Sequence, residues 1–163
     1  MQKVTYENRD PQLEVGGKIV AFYEREYYCF SNFSSFAVKW RGKLWQTSEH
    51  AYQAAHFFKT APKLAETIYH AKSAHEAYKI AKGNANKAPK NWEEIKVGIM
   101  EEIVRQKLKQ HPYIMKKLLQ TGTRKIMEDS PKDPFWGWGK DRKGRNELGK
   151  LWMKLRGEIA RKS

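Results

Sequence analysis

Two groups of residues place acidic side chains where acid–base chemistry could use them. The first is Thr47-Ser48-Glu49-His50, a polar run that precedes an apolar repeat of helical period. A glutamate in the first turn of a helix complements the helix dipole by ~0.3–1 kcal/mol, which alone could explain Glu49. His50 could be a general base, although an ordinary solvated or capping histidine fits the pattern better. The run is therefore a candidate site with a structural alternative.

The second group is the segment 128–139, where carboxylates, including Asp133, stand beside tryptophans and glycines. Glycosidic hydrolysis passes through a cation-like sugar that a carboxylate stabilises, while a second acid or base serves the water or the leaving group. Trp136 or Trp138 would give a base a flat stacking surface, and Gly137 would let a sugar or phosphate approach the backbone. The alternative is a surface loop anchored by buried tryptophans.

Basic residues could hold a phosphate in two places. Residues 82–90 form one connection with several lysines, and residues 142–145 follow the aromatic segment. The second is the better candidate, with Arg142 and Arg145 as its anion ligands. No glycine-rich phosphate motif is present, the histidines lack metal-ligand spacing and Cys29 is alone, so we expect neither a metal nor a cofactor.

The net charge of +14, from 32 basic and 18 acidic residues, attracts phosphates of any kind. A mononucleotide, a dinucleotide or a nucleic acid would all be drawn in, and simple solubility is the plain alternative. No run is long and apolar enough for a bilayer, and residues 1–11 lack a signal peptide's apolar segment. We expect a cytoplasmic protein without membrane contact, and the sequence leaves its oligomeric state open.

Helices with clear boundaries must position these groups. Thr47 or Ser48 begins one, Pro62 opens the next, and Ser73 caps a third. Asn91 and Asn146 are the predicted N-cap residues of two later helices, and Asn91 is the first residue of a capping-box pattern. The expected ends of the third, fourth and fifth helices are Gly83, His111-Pro112 and Gly122.

The first third of the chain predicts two short hairpins. One turns at Gly16-Gly17, between Leu13–Val15 and Lys18–Tyr23, and the other turns at Arg41-Gly42. The sequence therefore predicts a mainly α, multihelical single domain with a small N-terminal β-hairpin portion, spanning 1–163 with its core at about 19–160.

Several motifs in a fixed order resemble the NADAR (YbiA-like) family. They are Phe30-Ser31-Asn32-Phe33, Ser48-Glu49-His50-Ala51-Tyr52-Gln53, Asn91-Trp92, residues 128–139 with Phe135-Trp136-Gly137-Trp138-Gly139, and residues 144–153. The similarity runs from about Tyr23 to about Arg156. The resemblance implies a mainly helical domain and an N-glycosidase that uses no cofactor.

Two substrate classes follow from the resemblance. Some members cleave the N-glycosidic bond of phosphorylated ribosylamino-pyrimidines, early intermediates of riboflavin synthesis. Others resemble enzymes that remove ADP-ribose from the base of guanosine, as a nucleoside or within DNA or RNA. A non-catalytic module that binds nucleotide or nucleic acid is the alternative from another functional class.

The resemblance also assigns residues. The expected catalytic pair is Glu49 and Asp133. The expected substrate-binding residues are Asn32, Phe33, Trp92, Trp136, Gly137 and Arg145. Of these, Gly137 and Arg145 are proposed from the chemistry of the aromatic loop and not from the resemblance. This chain departs from the pattern at His56, where many members have a lysine whose amine could form a Schiff base with an opened ribose.

Overall fold

A computed structural model describes residues 18–23 and 25–163, with Arg25 described by its backbone alone. Helices account for most of the regular structure in these ranges, which confirms the mainly α prediction. The helices are α1 (Ser48–Ala55), α2 (Pro62–Tyr69), α3 (Ala74–Gly83), α4 (Trp92–Gln110), α5 (Pro112–Gln120) and α6 (Glu147–Lys162). The strands are β1 (Ile19–Phe22), β2 (Val38–Trp40), β3 (Lys43–Trp45) and β4 (Lys125–Glu128), and a 3₁₀ segment spans Arg25–Phe30.

The chain packs as two compact units, each with its own core. The central unit comprises Asn32–Met115, and the terminal unit joins the described residues up to Ser31 to Lys116–Ser163. We describe each unit in its own right.

Helix α1 lies at the centre of the central unit. All eight of its residues are buried, and it packs against α2, α3, α4 and β3. Ala51, Ala54 and Ala55 make this possible, because small side chains let neighbouring helices approach closely. The polar residues Ser48, Glu49, His50 and Gln53 are consequently held inside the unit and need internal partners.

The hairpin β2–β3 forms at the predicted turn. Arg41 and Gly42 both have positive φ, 47° and 78°, as a two-residue turn that matches the strand twist requires. Val38 pairs with Trp45 in an antiparallel register, and the Trp45 indole donates to the Trp40 carbonyl oxygen at 3.1 Å. The sequence signal at Arg41-Gly42 is confirmed.

In the terminal unit, β1 pairs with β4 in parallel, from Ile19 opposite Lys125 to Phe22 opposite Glu128. Helix α6 packs on β4, and its Trp152 donates an indole hydrogen bond to the Phe30 carbonyl oxygen at 3.1 Å. The expected partner of β1, Leu13–Val15 with its Gly16-Gly17 turn, lies outside the described residues.

Two capping predictions are wrong. Asn91 precedes α4, but its side chain makes no capping hydrogen bond, so the predicted capping box does not form. Asn146 precedes α6 in a left-handed conformation, with φ 53°, and likewise makes no side-chain cap. Its amide bonds instead to β4, accepting from the Glu128 N–H and donating to the Ile126 carbonyl oxygen. The Asn146 side chain thus bonds to a strand distant in sequence and does not cap the helix that it precedes.

Candidate active site

The N-terminus of α1 is fixed by two hydrogen bonds. Thr47 is the N-cap, in an extended conformation, and its hydroxyl accepts the His50 backbone N–H at 3.2 Å. The backbone N–H of Glu49, in the same first turn, donates to the Asn32 carbonyl oxygen at 3.1 Å. This bond connects the segment Asn32-Phe33 to the start of α1.

Glu49 is a buried carboxylate with a defined orientation. Its side chain is 5 % exposed, and its Oε1 accepts a hydrogen bond from the Gln53 amide at 2.6 Å, one helical turn later. An amide donor and a position in the first helical turn both favour the charged form of a carboxylate, while burial opposes it. The arrangement suits a group that stabilises a positive charge or activates water.

Two polar atoms, one on the residue that precedes Glu49 and one on the residue that accepts its backbone N–H, are buried without a hydrogen-bond partner in the described part of the protein. They are the amide oxygen of Asn32 and the hydroxyl of Ser48. Among residues 18–23 and 25–163, the Asn32 amide nitrogen has only the Met100 sulfur as hydrogen-bond partner, at 3.4 Å. A buried polar atom without a partner costs about 1–3 kcal/mol, which a bound water or a ligand group would recover.

Aromatic rings surround the C-terminal end of α1. Trp92, at the start of α4, stacks on the His56 imidazole with ring centroids 3.8 Å apart and lies 5.6 Å from the Tyr52 ring. Burial lowers the pKa of His56 to about 4, so its ring is neutral at physiological pH. In the segment that bonds to the start of α1, Phe33 is 38 % exposed.

His50 has a structural role. Its side chain is fully buried, Nε2 lies 3.0 Å from the Ala71 carbonyl oxygen, and Nδ1 lies 2.8 Å from the Thr47 hydroxyl. A carbonyl oxygen only accepts, so Nε2 carries the proton and Nδ1 accepts from Thr47. Both ring nitrogens are engaged, and the role that the sequence left open is that of a core histidine.

In the terminal unit, Asp133 organises the aromatic loop. Its Oδ1 accepts the backbone N–H groups of Phe135 and Trp136, at 2.9 and 2.8 Å. This is an Asx-type turn, which holds the carboxylate in one orientation. The other oxygen, Oδ2, makes no hydrogen bond to any residue that the structure describes. Asp133 therefore combines a structural role with an oxygen available for chemistry.

Backbone hydrogen bonds close the rest of the loop on itself. The Gly137 carbonyl oxygen accepts the Asn146 N–H at 2.8 Å, and the Trp138 carbonyl oxygen accepts the Gly144 N–H at 2.7 Å. A Cβ on Gly137 would lie 2.7 Å from the Glu128 carbonyl oxygen, and one on Gly144 would meet three backbone atoms at 2.7 Å. Close packing within the loop thus explains both glycines, whereas substrate contact at Gly137 stays a prediction.

The aromatic residues of the loop are fixed as well. Trp138 donates its indole N–H to the buried Asp129 carboxylate at 2.6 Å. Trp136 is 9 % exposed and packs edge-to-face with Phe135, with centroids 4.9 Å apart. Arg145 stacks over Phe135 at 4.7 Å and pairs with Glu147 at 3.0 Å, with 64 % of its side chain exposed. A phosphate at Arg145 would have to compete with the Glu147 carboxylate.

The predicted site residues divide between the two units. Asn32, Phe33, Glu49 and Trp92 belong to the central unit, and Asp133, Trp136, Gly137 and Arg145 to the terminal unit. Within the central unit, hydrogen bonds and ring contacts connect Asn32 to Glu49 and Trp92 to α1; within the terminal unit, Asp133 is bonded directly to the backbone of Trp136. The convergence of Glu49 and Asp133 stays a prediction.

Sequence reasoning missed two residues of this neighbourhood. Gln53 bonds to Glu49, and the i, i+4 spacing of two polar residues on one helix could have indicated the pair. His56 was noted only as a departure from a motif, and its stacking on Trp92 joins residues far apart in the chain, which no local signal predicts.

Other features of the described residues add little to the chemistry. An open groove of about 530 Å³ lies between α2 and α3 and is lined mainly by acidic and basic side chains, without Glu49 among them. No three histidine, cysteine, aspartate or glutamate side chains of the described ranges are grouped closely enough to hold a metal ion. None of the helices there has the length and apolar character of a bilayer crossing.

Comparison with known proteins identifies the family. The sequence-family model of the NADAR domain matches residues 21–160 of this chain. The chain belongs to the NADAR family. Its relatives include N-glycosidase YbiA of Escherichia coli, 37 % identical over 144 residues that cover 87 % of this chain and 89 % of YbiA. A riboflavin biosynthesis protein of Vibrio vulnificus is 35 % identical over 86 % of this chain, which corresponds to 38 % of that protein.

The NADAR fold is also shared at the level of structure. The solution structure of Escherichia coli YbiA superposes with a TM-score of 0.80 and 36 % sequence identity, over 89 % of this chain and 86 % of that one. The resemblance inferred from the motifs is thereby confirmed, and so is the YbiA-like, mainly helical fold.

Proposed function

We propose that this NADAR domain is a hydrolase that cleaves the N-glycosidic bond between a base or amino-pyrimidine and a phosphorylated ribose. Two relatives that align over most of their length with this chain are named N-glycosidases, and two longer relatives are named riboflavin biosynthesis proteins. These names support a nucleotide-derived substrate. The observation that carries the proposal here is the buried, oriented carboxylate of Glu49 at the start of α1.

The proposed mechanism needs two carboxylates with different roles. Glu49, oriented by the Gln53 amide in the first turn of α1, acts in its charged form: it stabilises the positive charge that develops on the ribose, or takes a proton from the attacking water. Asp133, with Oδ2 available, supplies the second acid–base group at the leaving nitrogen. The glycosidic C–N bond breaks and the water oxygen bonds to the anomeric carbon. One water proton stays on the new hydroxyl, and the other replaces the proton that Asp133 gives to the leaving nitrogen.

Aromatic, polar and basic side chains hold the substrate in this proposal. Trp92 and Trp136 form walls around the base or the ribose, and aromatic stacking on a base is worth roughly 1–3 kcal/mol. Asn32 donates or accepts through its partly satisfied amide, and Phe33 adds exposed apolar surface. Arg145 contacts the phosphate once its pairing with Glu147 is relaxed.

Two substrate classes satisfy this chemistry. One is a ribosylamino-pyrimidine phosphate; the other is ADP-ribose attached to guanine, free or in a nucleic acid. The net charge of +14 favours the polymeric form of the second class, because a basic protein surface attracts a polyanion.

Product analysis with both classes tests the proposal. We would incubate the purified protein with a ribosylamino-pyrimidine phosphate and, separately, with an ADP-ribosylated guanosine oligonucleotide, and then separate the products. Release of the free base with a reducing sugar phosphate, or of ADP-ribose with an unmodified guanosine, is the expected result. Tight binding of either compound without release of product would show a binding module instead of a hydrolase.

A further inference from the structure

His56 is the C-cap residue of α1, and its helical torsion angles, φ −55° and ψ −27°, continue the face of α1 that carries Glu49. The positions 49, 53 and 56 are spaced i, i+4, i+7, and about 10 Å of helix axis separates the first from the last. Gln53 bridges them, since its amide donates to the Glu49 carboxylate and its carbonyl oxygen lies 3.1 Å from His56 Nδ1. The two ends of one helical face therefore carry an acid and an imidazole.

The backbone determines which ring nitrogen of His56 holds the proton. Nδ1 lies 3.1 Å from the carbonyl oxygens of both Tyr52 and Gln53. Carbonyl oxygens only accept, so Nδ1 is the protonated nitrogen and donates to them. In the neutral ring Nε2 then has a lone pair and acts only as an acceptor.

The surroundings keep this ring neutral. It lies against the Trp92 indole and edge-on to Tyr52, and desolvation lowers its pKa to about 4. On α4, Lys96 lowers the pKa further, and Glu93 opposes it. Lys96 and Glu93 are themselves paired by a salt bridge, which limits the influence of either charge.

Nε2 of His56 accepts no hydrogen bond from any residue that the structure describes. The hydrogen bonds of His56 to described residues go through Nδ1, and the ring is only partly buried. An imidazole held by stacking and by two backbone contacts loses little conformational freedom when it binds a ligand. The Nε2 atom is therefore a preorganised acceptor on the residue that follows Glu49 and Gln53 along this face.

We propose that His56 is a specificity-determining residue, which accepts through Nε2 a hydrogen bond from an N–H or O–H group of the substrate. The proposal rests on the proposed function in one respect: it takes the Glu49 face of α1 as the place where substrate binds. The donor is either a nitrogen of the base or a hydroxyl of the ribose, since both classes of proposed substrate carry both groups.

Equilibrium binding of guanosine 5′-phosphate and donor-deleted analogues tests this. The analogues are inosine 5′-phosphate, 1-methylguanosine 5′-phosphate, and the 2′-deoxy and 3′-deoxy forms, each lacking one donor. Binding is measured calorimetrically for the wild type and for His56→Phe, which keeps the stacking ring but has no nitrogen. His70→Phe removes an exposed histidine of the same unit and is the matched control.

The expected result is a loss of about tenfold in affinity for guanosine 5′-phosphate with His56→Phe and no loss with His70→Phe. The analogue that lacks the donor contacted by His56 should bind the wild type and His56→Phe with equal affinity. That analogue identifies the donor as a base nitrogen or a ribose hydroxyl. His56→Gln, whose side-chain oxygen is a neutral acceptor, should recover part of the affinity. Thermal unfolding of each variant confirms that it is folded.

Three results would overturn the proposal: no binding by the wild type, unchanged affinity of His56→Phe, or an equal loss for guanosine 5′-phosphate and every analogue. The last would show that His56 acts only by packing. Because the readout is binding of an intact nucleotide, failure to detect hydrolysis would refute the proposed function and leave the role of His56 standing.

Discussion

At the scale of single residues, burial of His56 makes stability depend on pH. The folded protein binds a proton at this ring with a pKa of about 4, whereas the ordinary value is 6.5. The unfolded chain therefore takes up the proton first as pH falls, and the native state loses stability between about pH 6.5 and 4. Each pKa unit corresponds to about 1.4 kcal/mol, so the loss approaches about 3 kcal/mol.

Urea denaturation at pH 7 and at pH 4 checks this for the wild type and His56→Phe. The difference in unfolding free energy between the two pH values should be smaller in His56→Phe by about 2–3 kcal/mol, since the variant has no ring to protonate. Equal pH dependence of the two proteins would mean that His56 is protonated as readily in the folded chain as in the unfolded one.

Thr47 is the second residue on which stability should depend. Its hydroxyl caps α1 and also donates to the buried Nδ1 of His50. Thr47→Val keeps the shape, removes both hydrogen bonds and should lower the unfolding free energy by about 2 kcal/mol or more. Thr47→Ser keeps the hydroxyl and is the control, with a much smaller expected loss. Unchanged stability of Thr47→Val would contradict the role given to the two hydrogen bonds.

At the scale of elements, the contact between α6 and β4 depends on the absence of a side chain at Gly149. A Cβ there would lie 2.2 Å from the Ile126 carbonyl oxygen and 2.4 Å from the Asn146 amide. Gly149→Ala should therefore destabilise the fold by roughly 3 kcal/mol or more, because backbone must move.

Gly157 gives the matched control in the same helix. A Cβ at this position has no neighbour within 4 Å, so Gly157→Ala should be neutral or should stabilise α6 by up to about 1 kcal/mol. Denaturation of the two alanine variants side by side checks both expectations. Equal stabilities would show that α6 does not approach β4 as closely as described.

Elements with local signals were predicted well. Thr47, Pro62 and Ser73 begin their helices as expected, and Arg41-Gly42 forms its hairpin. These structures are determined by residues within a few positions of one another, which a sequence displays directly. The side-chain caps predicted at Asn91 and Asn146 do not form. Asn91 makes no capping hydrogen bond, and the Asn146 amide bonds to β4.

Elements that depend on distant partners were missed. Strand β4 and its parallel pairing with β1 were not predicted, since four residues of mixed polarity carry no strand signal of their own. For the site, residue types and motif order suggested Glu49, Trp92, Asp133 and Trp136. The contacts of Gln53 and His56, the core role of His50 and the Asx turn at Asp133 needed coordinates.

At the scale of the whole molecule, the net charge of +14 should determine the affinity for a polymeric substrate and its dependence on salt. If the substrate is ADP-ribosylated nucleic acid, phosphates outside the site bind lysines and arginines and release counterions, so affinity falls steeply with salt. We expect the dissociation constant for such an oligonucleotide to rise by at least about tenfold between 50 and 200 mM salt. Salt-independent binding would point to a small substrate.

The central claim is that Glu49 takes part in breaking an N-glycosidic bond, and the rate of hydrolysis by Glu49→Gln tests it most directly. The glutamine oxygen can still accept from Gln53, so the variant should fold normally, yet without the charge it should be slower by about 100-fold or more. Glu66→Gln, which alters an exposed carboxylate of α2, should keep the wild-type rate. Wild-type hydrolysis by a correctly folded Glu49→Gln would contradict the account.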